Sequence, residues 1–133
     1  MLYAILCYND ENITDNWTPQ EDAEVMAQLA LVQQDLSRAG RLGPVARLQP
    51  TRTAKTIRKS ENLMLVDGPF AETKEQRLGF YIVDCATTEE AVDIARRLAA
   101  ANRGVGGYEV RPIGVFFANG PGTDATTQVG GAA

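Results

Sequence analysis

Charged side chains are concentrated in residues 67 to 75, which have the sequence DGPFAETKE. This stretch contains the carboxylates Asp67, Glu72 and Glu75 and one cation, Lys74. The apolar runs LMLV before it and FYIV after it predict that it connects two β-strands. An ordinary Asp-Gly turn needs much less polar chemistry. The excess indicates a role beyond turning the chain without defining it, and the functional interpretation of Asp67 is an acid/base or hydrogen-bonding carboxylate at the mouth of a cavity.

Each of these side chains also has a purely structural interpretation. Asp67 could accept hydrogen bonds from the amides of its own turn, as aspartates in turns commonly do. Glu72 and Lys74 could contact an anionic ligand, or they could pair at the surface for about 0–1 kcal/mol. Phe70 is expected to anchor the loop in the core, because buried aromatic rings usually contribute apolar area. Both alternatives stay open for the charged residues.

Tyr8, Tyr81 and Arg111 are the candidate ligand-binding residues outside this loop. The tyrosines lie in predicted strands, from which their hydroxyls could enter a cavity or pack in a core or interface. Arg111 lies in an apolar segment, where its guanidinium could bind a carboxylate. Its structural alternative is an ion pair with Asp84 or with Glu109 of a second subunit.

The chain contains no histidine. This excludes Ser-His and Cys-His pairs and most zinc sites. A metal site on Asp67, Glu72 and Glu75 would have to be an oxygen site, and their spacing lacks a calcium-loop pattern. Cys7 and Cys85 lie in apolar segments without CxxC spacing and predict free, buried thiols. We therefore expect no metal and no cofactor.

Composition limits the class of protein further. The formal net charge is −4 and the basic residues are dispersed, which disfavours nucleic-acid binding. The sequence has neither a membrane-length apolar stretch nor the layout of a secretory signal. We expect a cytoplasmic protein with no membrane partner, built as one domain over residues 1–118 with a flexible tail at 119–133.

Two helices are predicted by their start signals. TPQE at residues 18–21 combines an N-cap, a proline at the first helical position and a capping box, and Gly40 ends that helix. TTEE at residues 87–90 predicts a second capping box. The predicted inward faces are Val25, Leu29, Val32 and Leu36 in the first helix and Ala91, Ile94, Ala95 and Leu98 in the second.

The remaining apolar segments predict strands over residues 2–8, 41–48, 79–85 and 108–117, with a hairpin formed by 53–58 and 62–66. This order is that of a ferredoxin-like split βαβ fold with an inserted hairpin. It is an α+β fold in which both helices cover one face of an antiparallel sheet. The first strand is nevertheless apolar on both faces. Because a solvated sheet face should be polar, we expect a homodimer that packs two sheets face to face.

DGPFAETKE closely resembles the signature of the DGPF branch of the YCII-related family. The similarity extends over roughly residues 1–117 and includes MLYAIL at the start, LQP at 48–50 and EVRP at 109–112. The resemblance implies the same dimeric α+β barrel. A His-Asp pair has been proposed as catalytic in the wider family, and only the aspartate half could be present here.

Two functions follow from the resemblance. The first is binding of a small anionic or cyclic-acid molecule in a cavity of the dimer, with weak acid/base catalysis by Asp67 and with Lys74 or Arg111 holding the anion. Muconolactone isomerase-like enzymes share this dimeric plan. The second is a non-catalytic regulatory module, because genes for DGPF proteins often neighbour those for extracytoplasmic-function sigma factors. A closed, partly polar cavity containing Asp67 would favour the first function, and a filled barrel the second.

Overall fold

The computed structural model describes residues 1–119. The strands are β1 Leu2–Asn9, β2 Leu42–Arg47, β3 Lys55–Arg58, β4 Met64–Asp67, β5 Gln76–Asp84 and β6 Gly107–Pro112. The helices are α1 Glu11–Thr14, α2 Pro19–Arg38 and α3 Thr88–Ala101, and Thr51–Thr53 form one turn of 3-10 helix. Apart from its first residue, the predicted tail at 119–133 lies outside the described residues. No helix within residues 1–119 has both the length and the apolar character needed to cross a bilayer.

The four long strands form one antiparallel sheet in the order β2-β5-β1-β6. Helix α2 connects β1 to β2, and α3 connects β5 to β6. This is the strand order of a ferredoxin-like split βαβ fold, so the predicted α+β class is confirmed. The inserted hairpin is also confirmed, because β3 and β4 pair with each other as a separate two-stranded sheet.

Helix α2 begins as its sequence predicts. The Thr18 side chain accepts a hydrogen bond from the Glu21 amide, and the Glu21 carboxylate accepts one from the Thr18 amide. Gly40 follows the helix with a left-handed φ of 69°. The second predicted capping box is only half formed. Thr87 accepts from the Glu90 amide, but the Glu90 carboxylate accepts from the amide of Ala86 instead.

Both helices cover one face of the sheet. The residues that α2 and α3 bury against Tyr3, Ile5, Tyr81 and Val83 are Val25, Leu29, Leu36, Ala91, Ile94, Ala95 and Leu98. The predicted inward faces are therefore confirmed, with Val32 only partly buried. The opposite side of β1 and β5, here called the open face, carries Leu2, Ala4, Leu6, Phe80 and Ile82.

Three local features differ from the sequence prediction. The last strand ends at Pro112 rather than at residue 117. Its neighbour β1 begins at Leu2, and the last hydrogen bond between these segments runs from the Ile113 amide to the Leu2 carbonyl, so no partner strand extends further. Strand β5 begins at Gln76, three residues early. The short helix α1 was not predicted and is capped by Asp10.

The β3–β4 hairpin, here called the ribbon, carries a further correction. Phe70, expected in the core, is 71% exposed. Its ring instead lies against the ribbon, with the Arg58 guanidinium carbon 5.1 Å from the ring centre. The loop turns back along the ribbon instead of entering the main core, because the Gly68 amide, at a φ of 107°, bonds the Ala54 carbonyl. The predicted anchoring role of Phe70 is therefore wrong.

Candidate functional site

A cavity of about 400 Å³, here called the pocket, lies between α2 and the helix-facing side of the sheet. Its size is within the range of small-molecule sites in proteins. Apolar lining comes from Trp17, Val25, Met26, Leu29 and Leu48. Polar lining includes Cys7, Gln33, Tyr81, Asn102 and Tyr108, and the ionisable residues Glu11, Asp15 and Arg47 also line the pocket. An apolar wall with a few polar groups is the usual composition of a ligand site.

Three neighbouring strands place Cys7, Tyr81 and Tyr108 at this pocket. Cys7 is directly opposite Tyr108 across the β1–β6 pair, and Tyr81 is opposite Ile5 across β1–β5. All three side chains therefore share the helix-facing side of the sheet. Asn102, which follows α3, donates a hydrogen bond of 2.8 Å to the Tyr108 hydroxyl, and its amide nitrogen is 3.7 Å from the Cys7 sulfur.

The strand groups Cys7, Tyr81 and Tyr108 are neutral at neutral pH. Burial raises the pKa of the Cys7 thiol and of the Tyr81 and Tyr108 hydroxyls above their ordinary values. A weak hydrogen bond from Gln33 to the Tyr81 hydroxyl, at 3.4 Å, partly opposes this effect. These groups can donate and accept hydrogen bonds, but they are poorly suited to act as bases at neutral pH.

Arg47 is the cation among the described residues that line the pocket. Its guanidinium is half-exposed and pairs with Asp22 of α2 at 2.9 Å. Between Arg47 and Cys7 the helix-facing position on β5 is Gly79, so no side chain occupies that part of the pocket wall. A Cβ atom on Gly79 would lie 2.4 Å from the Ala46 carbonyl oxygen, so this residue must be glycine for β2 to pair closely with β5.

Glu72 and Lys74 line a second, shallower groove of about 360 Å³, beside Asp10, Glu11 and Arg52. Glu11 also lines the pocket, so it lies between the two cavities. Its carboxylate accepts hydrogen bonds from the amide and the hydroxyl of Thr51.

Asp67 lies outside both cavities. It is on the ribbon, exposed to solvent, with its carboxylate oxygen 2.6 Å from the Lys55 ammonium. The hydrogen bond and the charge of Lys55 lower the pKa of Asp67.

Tyr8 and Arg111 lie on the open face of the sheet. The Tyr8 hydroxyl accepts hydrogen bonds from Arg77, the shorter of 2.7 Å, and donates one of 3.0 Å to Glu109. Arg111 is exposed opposite Ala4, and among residues 1–119 it forms no ion pair; Asp84 pairs with the N-terminal amine. The six predicted site residues therefore divide among the ribbon, the groove, the open face and the pocket, which contains Tyr81 alone.

Sequence comparison agrees with this architecture. The YCII-related domain family matches residues 1–117. The chain belongs to the YCII-related family. It is 56% identical over 117 residues to an uncharacterised protein of Rhizobium meliloti (strain 1021), an overlap that covers 87% of this chain and 94% of that protein. The matched segment contains all the strands and helices described above.

In this YCII-related chain, sequence reasoning missed most of the pocket residues. Cys7 is predicted only as a free, buried thiol, and Tyr108 is not among the predicted site residues. Strand alternation was the signal that could have found them, because both share the side of the sheet that carries Ile5 and Val83. Trp17, Gln33 and Asn102 are on or beside helices and gave no such signal. Within residues 1–119, no three Cys, Asp or Glu side chains are grouped as metal ligands.

Proposed function

We propose that this YCII-related protein binds a small ring compound in the pocket. The observation that carries the proposal is the convergence of Cys7, Tyr81 and Tyr108, from three strands, on one cavity whose opposite wall is apolar. The apolar wall favours the carbon skeleton of a ring, and the neutral hydroxyls favour a hydroxyl or carbonyl group on it.

The position of Arg47 extends the proposal to cyclic acids. A carboxylate among Cys7, Tyr81 and Tyr108 would lose its water without gaining a countercharge, which is costly. At Arg47 the ligand carboxylate would replace Asp22 as the partner of the guanidinium and could accept two hydrogen bonds from it. A cyclic acid therefore binds with its ring inside the pocket and its carboxylate at Arg47.

The surroundings of Asp67 support a catalytic role less well than its sequence context does. A useful general base has a pKa near the working pH, whereas Lys55 lowers the pKa of Asp67 from a value that is already acidic. Asp67 also does not line the pocket. Acid/base catalysis by Asp67 stays a prediction, and it is tested by comparing turnover of any bound compound by wild type and Asp67→Asn.

Trp17 provides a direct assay, because it is the single tryptophan of the chain and lines the pocket. Titration with p-cresol, benzoate and 4-hydroxybenzoate should change its fluorescence saturably if these rings enter the pocket. Loss of one hydroxyl in Tyr81→Phe or Tyr108→Phe should weaken binding of the hydroxylated compounds by about three- to tenfold, the effect of one hydrogen bond.

Tyr8→Phe is the matched control, since it removes a tyrosine hydroxyl from the open face. Equal weakening by all three variants would show that the fluorescence change does not report binding at the pocket tyrosines. A broader thermal-shift screen in which no ring compound stabilises wild type would contradict the proposed function itself.

The same proposal includes a homodimer closed over the open face, as in a dimeric α+β barrel. Leu6 is opposite Phe80 and Ala4 is opposite Ile82 on that face, so these side chains form a continuous apolar strip in which Ile82 is buried and the other three are partly buried. Arg111 and Glu109 border the strip and supply charges at its rim. Membership of the DGPF branch and a cytoplasmic location complete this proposal and rest on the sequence alone.

One observation favours the alternative function, a regulatory interaction module. The ribbon exposes Ile57, Leu63 and Leu65, and exposed apolar clusters commonly mark contact surfaces. The structure describes no partner, so a link to extracytoplasmic-function sigma factors stays a prediction. Co-purification of such a factor with wild type, and its loss on Leu65→Asp, would support it; absence of any such complex would argue against it.

A further inference from the structure

The two faces of the ribbon have different surroundings. On one face, Thr56 donates a hydrogen bond of 2.8 Å to the Gly68 carbonyl, and Arg58 donates one of 3.3 Å to the Phe70 carbonyl and lies over its ring. Residues 68–70 of the loop thus cover part of this face, here called the covered face, although Arg58 and Met64 on it stay exposed. The other face carries Lys55, Ile57, Leu65 and Asp67, all exposed. We call it the bare face.

The bare face has a simple arrangement of charge and apolar surface. Lys55 is directly opposite Asp67, and Ile57 is directly opposite Leu65. Each of these two cross-strand pairs therefore joins groups that attract each other, a cation with a carboxylate and one aliphatic chain with another. The ion pair is at the base of the ribbon and the aliphatic pair is nearer its tip.

This arrangement is self-complementary. If a second ribbon is placed over the bare face by a two-fold axis that runs along the strands, every residue lies over the copy of its cross-strand partner. Lys55 then faces the second Asp67, and Ile57 faces the second Leu65. A two-fold interface requires one patch to match itself in this way. A two-fold axis in the plane of the interface and perpendicular to the strands would instead bring the charged base over the apolar tip.

We infer that the bare face of the ribbon binds the bare face of a second copy of this chain. Four charges then alternate around the base of the two ribbons and four aliphatic side chains are removed from water. An isolated two-stranded hairpin is marginally stable in water, and this contact supplies the packing that the ribbon lacks. Asp67, the first residue of the DGPFAETKE motif, is thereby an interface residue.

The ribbon contact uses a different surface from the homodimer proposed above. One two-fold dimer that includes both surfaces, or a larger closed assembly, is compatible with it. The two contacts can be separated by experiment, because Leu65 is on the ribbon and Arg111 is on the open face, and both are exposed enough to be replaced without disturbing the core.

The test compares Leu65→Asp with Met64→Asp by light scattering at micromolar concentration. These neighbours are 58% and 54% exposed and differ in the face they occupy, with Met64 on the covered face. The mass measured for wild type should exceed the monomer mass of 14.4 kDa. Leu65→Asp should reduce the assembly mass by half or raise its dissociation constant at least tenfold, and Met64→Asp should leave both unchanged.

Three results would overturn the inference: a monomeric wild type, a Leu65→Asp variant with the wild-type mass and dissociation constant, or equal effects of the two substitutions. A monomeric wild type would also contradict the open-face homodimer. If Arg111→Glu dissociates the protein and Leu65→Asp does not, the open-face contact stands and the ribbon contact is refuted. Circular dichroism of each variant establishes that it has folded.

A charge exchange tests the ion pairs separately. Asp67→Lys places lysines opposite lysines across the interface and should weaken association. The double variant Lys55→Asp with Asp67→Lys restores both the pair within the ribbon and the pairs between copies, so its dissociation constant should return towards that of wild type. Failure of the double variant to recover association would refute the proposed alignment of the two ribbons.

Discussion

Two leucines on the same helix provide a test of the pocket that needs no ligand. Leu29 and Leu36 both point into the core from α2 and are 7% and 2% exposed. Leu29 lines the pocket, whereas Leu36 does not. The substitutions Leu29→Ala and Leu36→Ala remove the same atoms from the same helix. The changes in transfer free energy and in helix propensity therefore contribute almost equally to the loss of stability of the two variants.

The difference lies in how many packing contacts each truncation removes. A side chain beside an existing cavity lacks neighbours on one side and has fewer dispersion contacts to lose. For Leu36→Ala we expect a loss of about 3–4 kcal/mol in the free energy of unfolding, within the usual range for buried leucines. For Leu29→Ala we expect about 2–2.5 kcal/mol, at the lower end of that range.

Urea denaturation followed by circular dichroism measures both values. Native domains have about 5–15 kcal/mol of stability, so both variants should stay folded in water. Unchanged m-values would show that the comparison reports stability rather than a change in the unfolded state. If Leu29→Ala costs as much as Leu36→Ala, the space beside Leu29 is filled in solution and the proposed binding function loses its basis.

Two further predictions concern the helix start and alkaline pH. Thr18→Ala should cost about 1 kcal/mol in urea denaturation, because the Glu21 amide loses its acceptor; a cost below about 0.3 kcal/mol would contradict this. Because burial raises the pKa of Cys7, Tyr81 and Tyr108, the folded protein keeps protons that the unfolded chain releases from about pH 9 upward. Stability is therefore full below that pH and falls above it. A Tm that does not change between pH 8 and 10.5 would contradict this.

The sequence predicted the fold because the fold depends on repeated local signals. The TPQE start, the stripe that includes Val25 and Leu36, and Gly40 all concern contacts within one helix or between that helix and the sheet. The end of β6 was not predictable in this way. It depends on where its neighbour β1 begins, which is a property of the pairing and not of residues 113–117.

The site was predictable only in part, because composition of a loop does not determine what the loop faces. The charges of DGPFAETKE suggested a cavity, yet Asp67 pairs with Lys55 on the ribbon. That partner lies twelve residues away in sequence and becomes a neighbour only through the β3–β4 register. The pocket residues Cys7 and Tyr108 are likewise far apart in the sequence and become neighbours only through the β1–β6 register.

Gly79 affects both the volume of the pocket and the pairing of β2 with β5. The missing side chain leaves part of the wall vacant and also leaves room for the Ala46 carbonyl oxygen, which would lie 2.4 Å from a Cβ atom at this position. Any substitution there would intrude on both spaces at once. The pocket therefore cannot be narrowed from this position without displacing the edge strand β2.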